Sequence, residues 1–253
     1  MITIKSKKEI DKMRAAGQVV AIVLRKLEEA VQPGVRTLEL DNLAEKTIRE
    51  NGAVPSFKGY RASMKTPPFP AAICASINNE VVHGIPDETI LKDGDIISID
   101  VGAYKNGMHA DAARTFEVGK VSDEAKKLIT VAGNSFFNGI KMAVEGKRLG
   151  NISAEIQRTV EENGFSVVRD LVGHGIGRDL HEDPQIPNFS TSRKGVRLQR
   201  GMALAIEPMI NSGGYQVKTS ENGWTIVTLD GSLSAHYENT IILTKNDPII
   251  ITL

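Results

Sequence analysis

A chain of 253 residues that is 41% hydrophobic has the apolar mass for a substantial core, so disorder is not expected to dominate. Lys and Arg number 31, as do Asp and Glu, so no overall field draws in nucleic acid or an anionic membrane, and partners must be argued from local sites. The single cysteine, Cys74, excludes an intramolecular disulfide and a multi-cysteine zinc site and suits a reducing compartment, with the cytoplasm as the expectation.

In chain order, Met1 to Lys5 runs straight into a charged helix pattern, without the apolar core and cleavage site of a signal peptide. No apolar run nears the roughly 20 residues that span a bilayer. Ser6-Lys7-Lys8-Glu9 reads as a capping box, and Ile10, Met13, Val20, Leu24, Leu27 and Val31 follow at helical spacing to a stop at Pro33-Gly34. A second helix is predicted from about Thr37 to Asn51-Gly52, with Leu38, Leu43, Ala44 and Ile48 facing inward. The Pro-rich stretch Arg61 to Pro70 reads as a loop. The run Gly94 to Asp100 reads as a strand ending in a carboxylate, and Asn106-Gly107 as a two-residue hairpin turn. Folding there sets Asp111 opposite Gly102, one same-face step from Asp100, so both carboxylates point to one face unless a bulge shifts the register.

After Ser122 the same plan returns. Ala16-Gly17-Gln18 is answered by Ala132-Gly133-Asn134, and Arg49-Glu50-Asn51-Gly52 by Glu161-Glu162-Asn163-Gly164. Gly94 to Asp100 parallels Gly201 to Glu207, and His109-Ala110-Asp111 parallels His236-Tyr237-Glu238, each ending in an acid. The order is kept at offsets between 107 and 127 residues, which points to an internal duplication with halves of about 6–120 and 121–247. No linker separates them, so the expectation is one domain over 1–253, of α/β class in the α+β sense. In it two pseudo-twofold halves share a central antiparallel sheet backed by helices.

Four acids, Asp100, Asp111, Glu207 and Glu238, should therefore converge where the halves meet. Such like charges repel unless a cation or proton lies between them, and metal ions are the natural neutraliser. His174, within Gly173-His174-Gly175-Ile176-Gly177, adds a nitrogen ligand, because flanking glycines allow close approach. An isolated acid at a strand end is ordinarily solvated or paired with a base, and it is the duplicated arrangement that argues otherwise. The oxygen-rich set favours Mn, Fe(II) or Co, and Zn also fits.

Over nearly its whole length the chain resembles the type I methionine aminopeptidases of the bacterial kind, whose pita-bread fold is shared with prolidases, aminopeptidase P and creatinase. The resemblance is carried by Glu80-Val81-Val82-His83-Gly84-Ile85-Pro86, by Ile99-Asp100-Val101 through Asp111, and by Gly173 to Gly177. His181-Glu182, Ile206-Glu207-Pro208 and Tyr237-Glu238-Asn239-Thr240 add to it. It implies two divalent metal ions, with Asp100 chelating one, His174 and Glu207 holding the other, and Asp111 and Glu238 bridging them. It further implies removal of the initiator methionine from nascent chains by a metal-bridging hydroxide, with a small second residue preferred. Glu207 would act as general base, His181 would stabilise the developing oxyanion, and His83 would contact the substrate amide. The substrate's free α-amine would complete one metal's coordination. Tyr60, Cys74 and Trp224 would wall the methionine pocket. For His109 and His236 an ordinary surface or core role is the expectation.

Some positions depart from the family's usual pattern. The segment Arg61 to Pro70 is longer than usual before Cys74, Leu180 stands where an aromatic often precedes the catalytic histidine, and His236 replaces a commoner neutral residue. Gly175-Ile176-Gly177-Arg178-Asp179-Leu180 lacks the last glycine of a dinucleotide fingerprint, and Gln185 with Pro184 rules out a two-histidine helical zinc motif. A proline-specific peptidase of the same fold is the nearest rival, though such relatives usually carry a further N-terminal domain. A metal-free binding module would be missing ligands, and none is missing here. The chain also shows neither the zinc-binding extension of eukaryotic type I enzymes nor the helical insertion of type II. The expected partners are nascent N-termini, with at most transient ribosome contact, no stable nucleic-acid binding, no membrane, and a monomeric state.

Overall fold

The computed structural model describes residues 2–61, 63–64, 66–192 and 194–253. Helix α1 (Lys7–Ala30) begins where the capping box predicts: the Ser6 hydroxyl accepts from the Glu9 amide, and the Glu9 carboxylate accepts from the Ser6 amide at 2.9 Å. Its buried stripe contains Met13, Val20, Leu24 and Leu27. Helix α2 (Thr37–Glu50) also lies where predicted, but its inner face is rotated from the expected one. Thr37, Leu40, Asp41, Ala44, Thr47 and Ile48 are buried, whereas Leu38 and Leu43 are only half-buried. Hydropathy misplaces the stripe because it counts Thr37 and Asp41 as outward. Both are satisfied inside, Thr37 Oγ1 donating to Asp87 O at 3.0 Å and Asp41 Oδ1 accepting from the Ala72 amide at 2.8 Å.

Four strands then follow α2 in the first half before its return strand: β1 (Val54–Pro55), β2 (Ile73–Ile77), β3 (Glu80–Val82) and β4 (Ile96–Lys105), with β5 (Met108–Glu117) returning along β4. The second half repeats the helix pair as α3 (Asp123–Ile140) and α4 (Leu149–Glu162). Its strands are β6 (Ser166–Val167), β7 (Gly173–Gly175), β8 (Glu182–Ile186), β9 (Ala203–Ile206), β10 (Met209–Asn211), β11 (Val217–Thr219), β12 (Ile226–Thr228), β13 (Ser234–His236), β14 (Asn239–Ile242) and β15 (Ile249–Ile250).

The duplication is visible in detail. α2 and α4 end on Asn51 and Asn163, whose side-chain amides each donate to the carbonyl four residues back at 2.8 Å, and Gly52 and Gly164 then take positive φ. β2 pairs with β4 as β7 pairs with β9. Alternation then aims the acids. On β4, Ile97, Ile99, Val101 and Ala103 pack into the core under α1 and α2, so Asp100 faces the other way; on β9, Leu204 and Ile206 pack under α3 and α4, leaving Glu207 on the opposite side. The halves are stitched where the Glu238 amide donates to Ala113 O at 2.9 Å and the Asp111 amide to Thr240 Oγ1 at 3.1 Å.

Among the described residues the strands form four hydrogen-bonded groups rather than one unbroken sheet. One break falls at Glu207-Pro208 and Tyr237-Glu238, where Pro208 has no N–H to give the ladder. Among the described residues no helix is long and apolar enough to cross a membrane.

Candidate active site and metal centre

The Asn106-Gly107 turn has both residues at positive φ, 56° and 83°, as a type I′ hairpin requires, and β4 and β5 pair without a bulge. Asp111 consequently lies opposite Gly102, and Asp100 opposite Ala113, so the two acids share a face. Glu207 stands in the gap between β9 and β10, and Glu238 in the gap between β13 and β14. Side-chain donors hold the backbone at both gaps: the Asn188 side-chain amide donates to Glu207 O at 3.0 Å, and the Arg114 guanidinium donates to Glu238 O at 2.5 Å.

His174 joins them from β7. Its Nδ1 lies 2.8 Å from the Gly175 carbonyl, which can only accept, so Nδ1 carries the proton and the Nε2 lone pair faces the acids. Nε2 is 3.6 Å from Asp111 Oδ2 and 3.6 Å from Glu207 Oε1. One ligand-type atom each from Asp111, His174 and Glu238 lies within 4.8 Å of the others. Burial, and next the charge of Asp111, push the carboxyl groups of Asp100 and Glu207 well above the usual range; burial and the same neighbour do so for Glu238, and burial raises Asp111 to about 6. Asp100 Oδ1 and Glu238 Oε1 are buried with no hydrogen-bond partner among the described residues. Four acids crowded out of water, two with orphaned oxygens, facing a free imidazole lone pair, fit divalent cations and little else.

These residues line one cavity of about 200 Å³ together with all the other predicted site residues: His83, His181, Tyr60, Cys74 and Trp224. His181 sits exposed at the mouth, its ring centroid 4.3 Å from that of His174 and 5.1 Å from that of Tyr60. His83 takes φ of 59°, a left-handed conformation that costs a residue with a Cβ about 1–3 kcal/mol, and burial holds its pKa down at about 4. Trp224 stands edge-on to His83 and to Phe69, at 6.2 and 5.3 Å, and its indole N–H donates to Pro67 O at 3.1 Å. Cys74 is buried in register with Asp100, and burial raises its thiol well above the ordinary value, which suits a wall rather than a nucleophile.

Several neighbours escaped sequence reasoning. Phe57, Phe69, Leu171 and Met209 complete the apolar wall. The Arg61 to Pro70 loop contributes Phe69 and the Pro67 carbonyl, while Ala62 and Lys65 lie outside the described residues. Leu180, at the unusual position, lines the cavity. His109 fits its expected ordinary role, with Nδ1 2.9 Å from Ser56 Oγ and its ring against Tyr104. His236 is buried, as a core residue would be, yet its Nε2 faces Glu207 and Glu238, a placement that no local pattern signals. Outside the cavity, Lys5 and Glu182 form a buried ion pair beside His181, to which the Thr3 hydroxyl also donates. Segments 177 residues apart that are brought together in this way leave no trace in spacing.

A duplicated fold with helices outside and a ring of acids and one histidine inside defines a metallohydrolase, and the profile of metallopeptidase family M24 matches residues 11–245. The chain belongs to that family. It is 56% identical over 253 residues to the methionine aminopeptidase of Clostridium perfringens, covering all of this chain and 99% of that one. It is 51% identical to methionine aminopeptidase 1 of Bacillus subtilis over 100% of this chain and 99% of the relative. The crystal structure of a methionine aminopeptidase from Thermotoga maritima superposes with a TM-score of 0.95 at 46% identity, over 100% of this chain and 99% of the other. Within the family the chain groups with the bacterial methionine aminopeptidases and has their pita-bread fold.

Proposed function

We propose that the protein hydrolyses the peptide bond after the N-terminal methionine of nascent polypeptides, preferring a small second residue, as a cytoplasmic monomer whose 1–253 span acts as one catalytic unit. The observation that carries the reading is the meeting of five ligand-type side chains, two of them with unpartnered buried oxygens, beside an apolar slot walled by Tyr60, Phe69, Cys74 and Trp224. An unbranched thioether side chain suits such a slot. The balanced charge supports at most transient contact with the ribosome and no stable nucleic-acid complex.

Asp100, Asp111, His174, Glu207 and Glu238 would hold two divalent ions, with Asp111 and Glu238 shared, and the donor set suits Mn, Fe(II) or Co and admits Zn. Such ions, when bound, polarise the scissile carbonyl and make water acidic enough to attack near neutral pH. Glu207 takes the proton of the attacking water on a carboxylate oxygen and returns it to the nitrogen of the leaving amine. His181, at the mouth, donates a ring N–H to the oxygen that becomes negative at the scissile carbonyl, and His83 holds the substrate's backbone amide.

The test is metal-dependent release of methionine from Met-Ala-Ser and Met-Lys-Ser, with a proline dipeptide as control and Glu207→Gln as the inactive reference. Cleavage of Met-Ala-Ser alone, restored to stripped enzyme by Mn, Fe(II) or Co, is the expected result. Cleavage of the proline dipeptide instead would keep the metal site and remove the methionine assignment.

A further inference from the structure

His236 is 2% exposed, and its Nε2 has no hydrogen-bond partner among the described residues. The atom faces two acids at once, 4.0 Å from Glu207 Oε2 and 3.9 Å from Glu238 Oε2. The backbone that carries the ring is held in place. Its residue pairs with Met209 across β10 and β13, its amide donates to Thr115 Oγ1 at 2.9 Å, and that hydroxyl donates back to the His236 carbonyl at 2.9 Å. A clamped, buried polar atom aimed between two acids needs an explanation, since orphaned groups of this kind are rare in folded proteins.

A neutral imidazole carries one proton, and two flanking acceptors favour the tautomer that places it on Nε2. The two acids are not equivalent as acceptors. Glu238 would be shared between both ions in the proposed scheme, which would call on both of its oxygens. Glu207 turns Oε1 toward His174 and Oε2 toward His236, so Oε2 is the oxygen left over. Closing 4.0 Å to hydrogen-bond length takes a shift of about 1 Å by the carboxylate or the ring.

We propose that His236 is a positioning residue that donates from Nε2 to Oε2 of Glu207, fixing the carboxylate that binds metal and moves the proton. The inference rests on the reading of Glu207 given above. Partners of metal ligands act by orienting them, and their loss typically weakens metal binding or activity about 10- to 100-fold.

The experiment uses the full chain and two substitutions, His236→Gln, which keeps an N–H donor, and His236→Leu, which keeps bulk without one. Cobalt affinity is measured by titration calorimetry and the ligand field by visible absorption, with circular dichroism of each metal-free protein as the folding control. His236→Leu is expected to weaken cobalt binding about 10- to 100-fold and shift the absorption band, with His236→Gln within about threefold of the parent. In the Glu207→Gln background the His236→Leu effect should vanish. Parental affinity and spectrum in His236→Leu, or an equal loss in both variants, would overturn the proposal. Should His236→Leu not fold, ¹⁵N-histidine NMR of the zinc-loaded parent decides: a protonated Nε2 supports the donor role, and a bare one defeats it. Full peptidase activity in Glu207→Gln would remove the underlying reading. An inactive Glu207→Gln with an unaffected His236→Leu defeats only the role of His236.

Discussion

The two acid-bearing hairpins occupy equivalent places in the repeated plan and differ in construction. In the first half, β4 and β5 run ten residues each in unbroken register through a two-residue turn, and Asp100 and Asp111 are ordinary members of the ladder. In the second half each strand is cut in two at its acid, β9 from β10 at Glu207-Pro208 and β13 from β14 at Tyr237-Glu238. The turn is replaced by residues 212–233, which carry the β11–β12 ribbon across to β3 and bring Trp224 to the cavity. A continuous ladder places acids rigidly and offers nothing else. An interrupted one frees the chain to build a pocket wall, and the local backbone must then be held by Asn188 and Arg114 instead of by strand pairing.

The strongest way to break this comparison is at the interrupted side. Glu207→Gln removes the proton acceptor and should lower kcat on Met-Ala-Ser by about 10²- to 10⁴-fold, measured at saturating metal. The next effect tests how β8 is anchored to the N-terminal segment. Lys5→Met takes the cation from Glu182, which keeps the Thr3 hydroxyl and the Arg178 amide as donors, and thermal unfolding should report a loss of about 1–3 kcal/mol. A melting temperature unchanged by Lys5→Met would show the Lys5–Glu182 pair to be incidental. On the continuous side, Gly107→Val places a β-branched residue at φ of 83°, and urea unfolding should register about 1–3 kcal/mol, enough to loosen the ladder that aligns Asp100 with Asp111.

The smallest effect sharpens the electrostatic account. Asp111 is raised to about 6 in the folded metal-free protein, so below that pH it keeps a proton that a cation must displace, and above it the proton is gone. Metal affinity should therefore rise with pH, by about tenfold between pH 5 and pH 7 from this group alone. Without metal the sign reverses. A carboxyl raised above its unfolded value stabilises the fold at low pH and loses that contribution as pH climbs through 6. The gap in melting temperature between metal-bound and stripped protein should widen from pH 5 to pH 7, and a constant gap would contradict the burial argument.

Much of this was legible in the amino-acid order, because it depends on local pattern. The capping box at Ser6, the Asn106-Gly107 turn and the two-residue alternation along β4 and β5 act over a few residues, and they set the register that pairs Gly102 with Asp111. Conformationally permissive Gly52 and Gly164 end equivalent helices for the same reason in both halves, so the repeat too could be read directly. Tertiary structure decided what depends on distant segments meeting. It turned α2 so that Asp41 faces Ala72, set Phe69 against Trp224, joined Lys5 to Glu182, and aimed His236 between two acids. A polar residue buried by a far partner looks in sequence like one left in water, since what makes its burial tolerable is a hydrogen bond or charge that only the folded chain supplies.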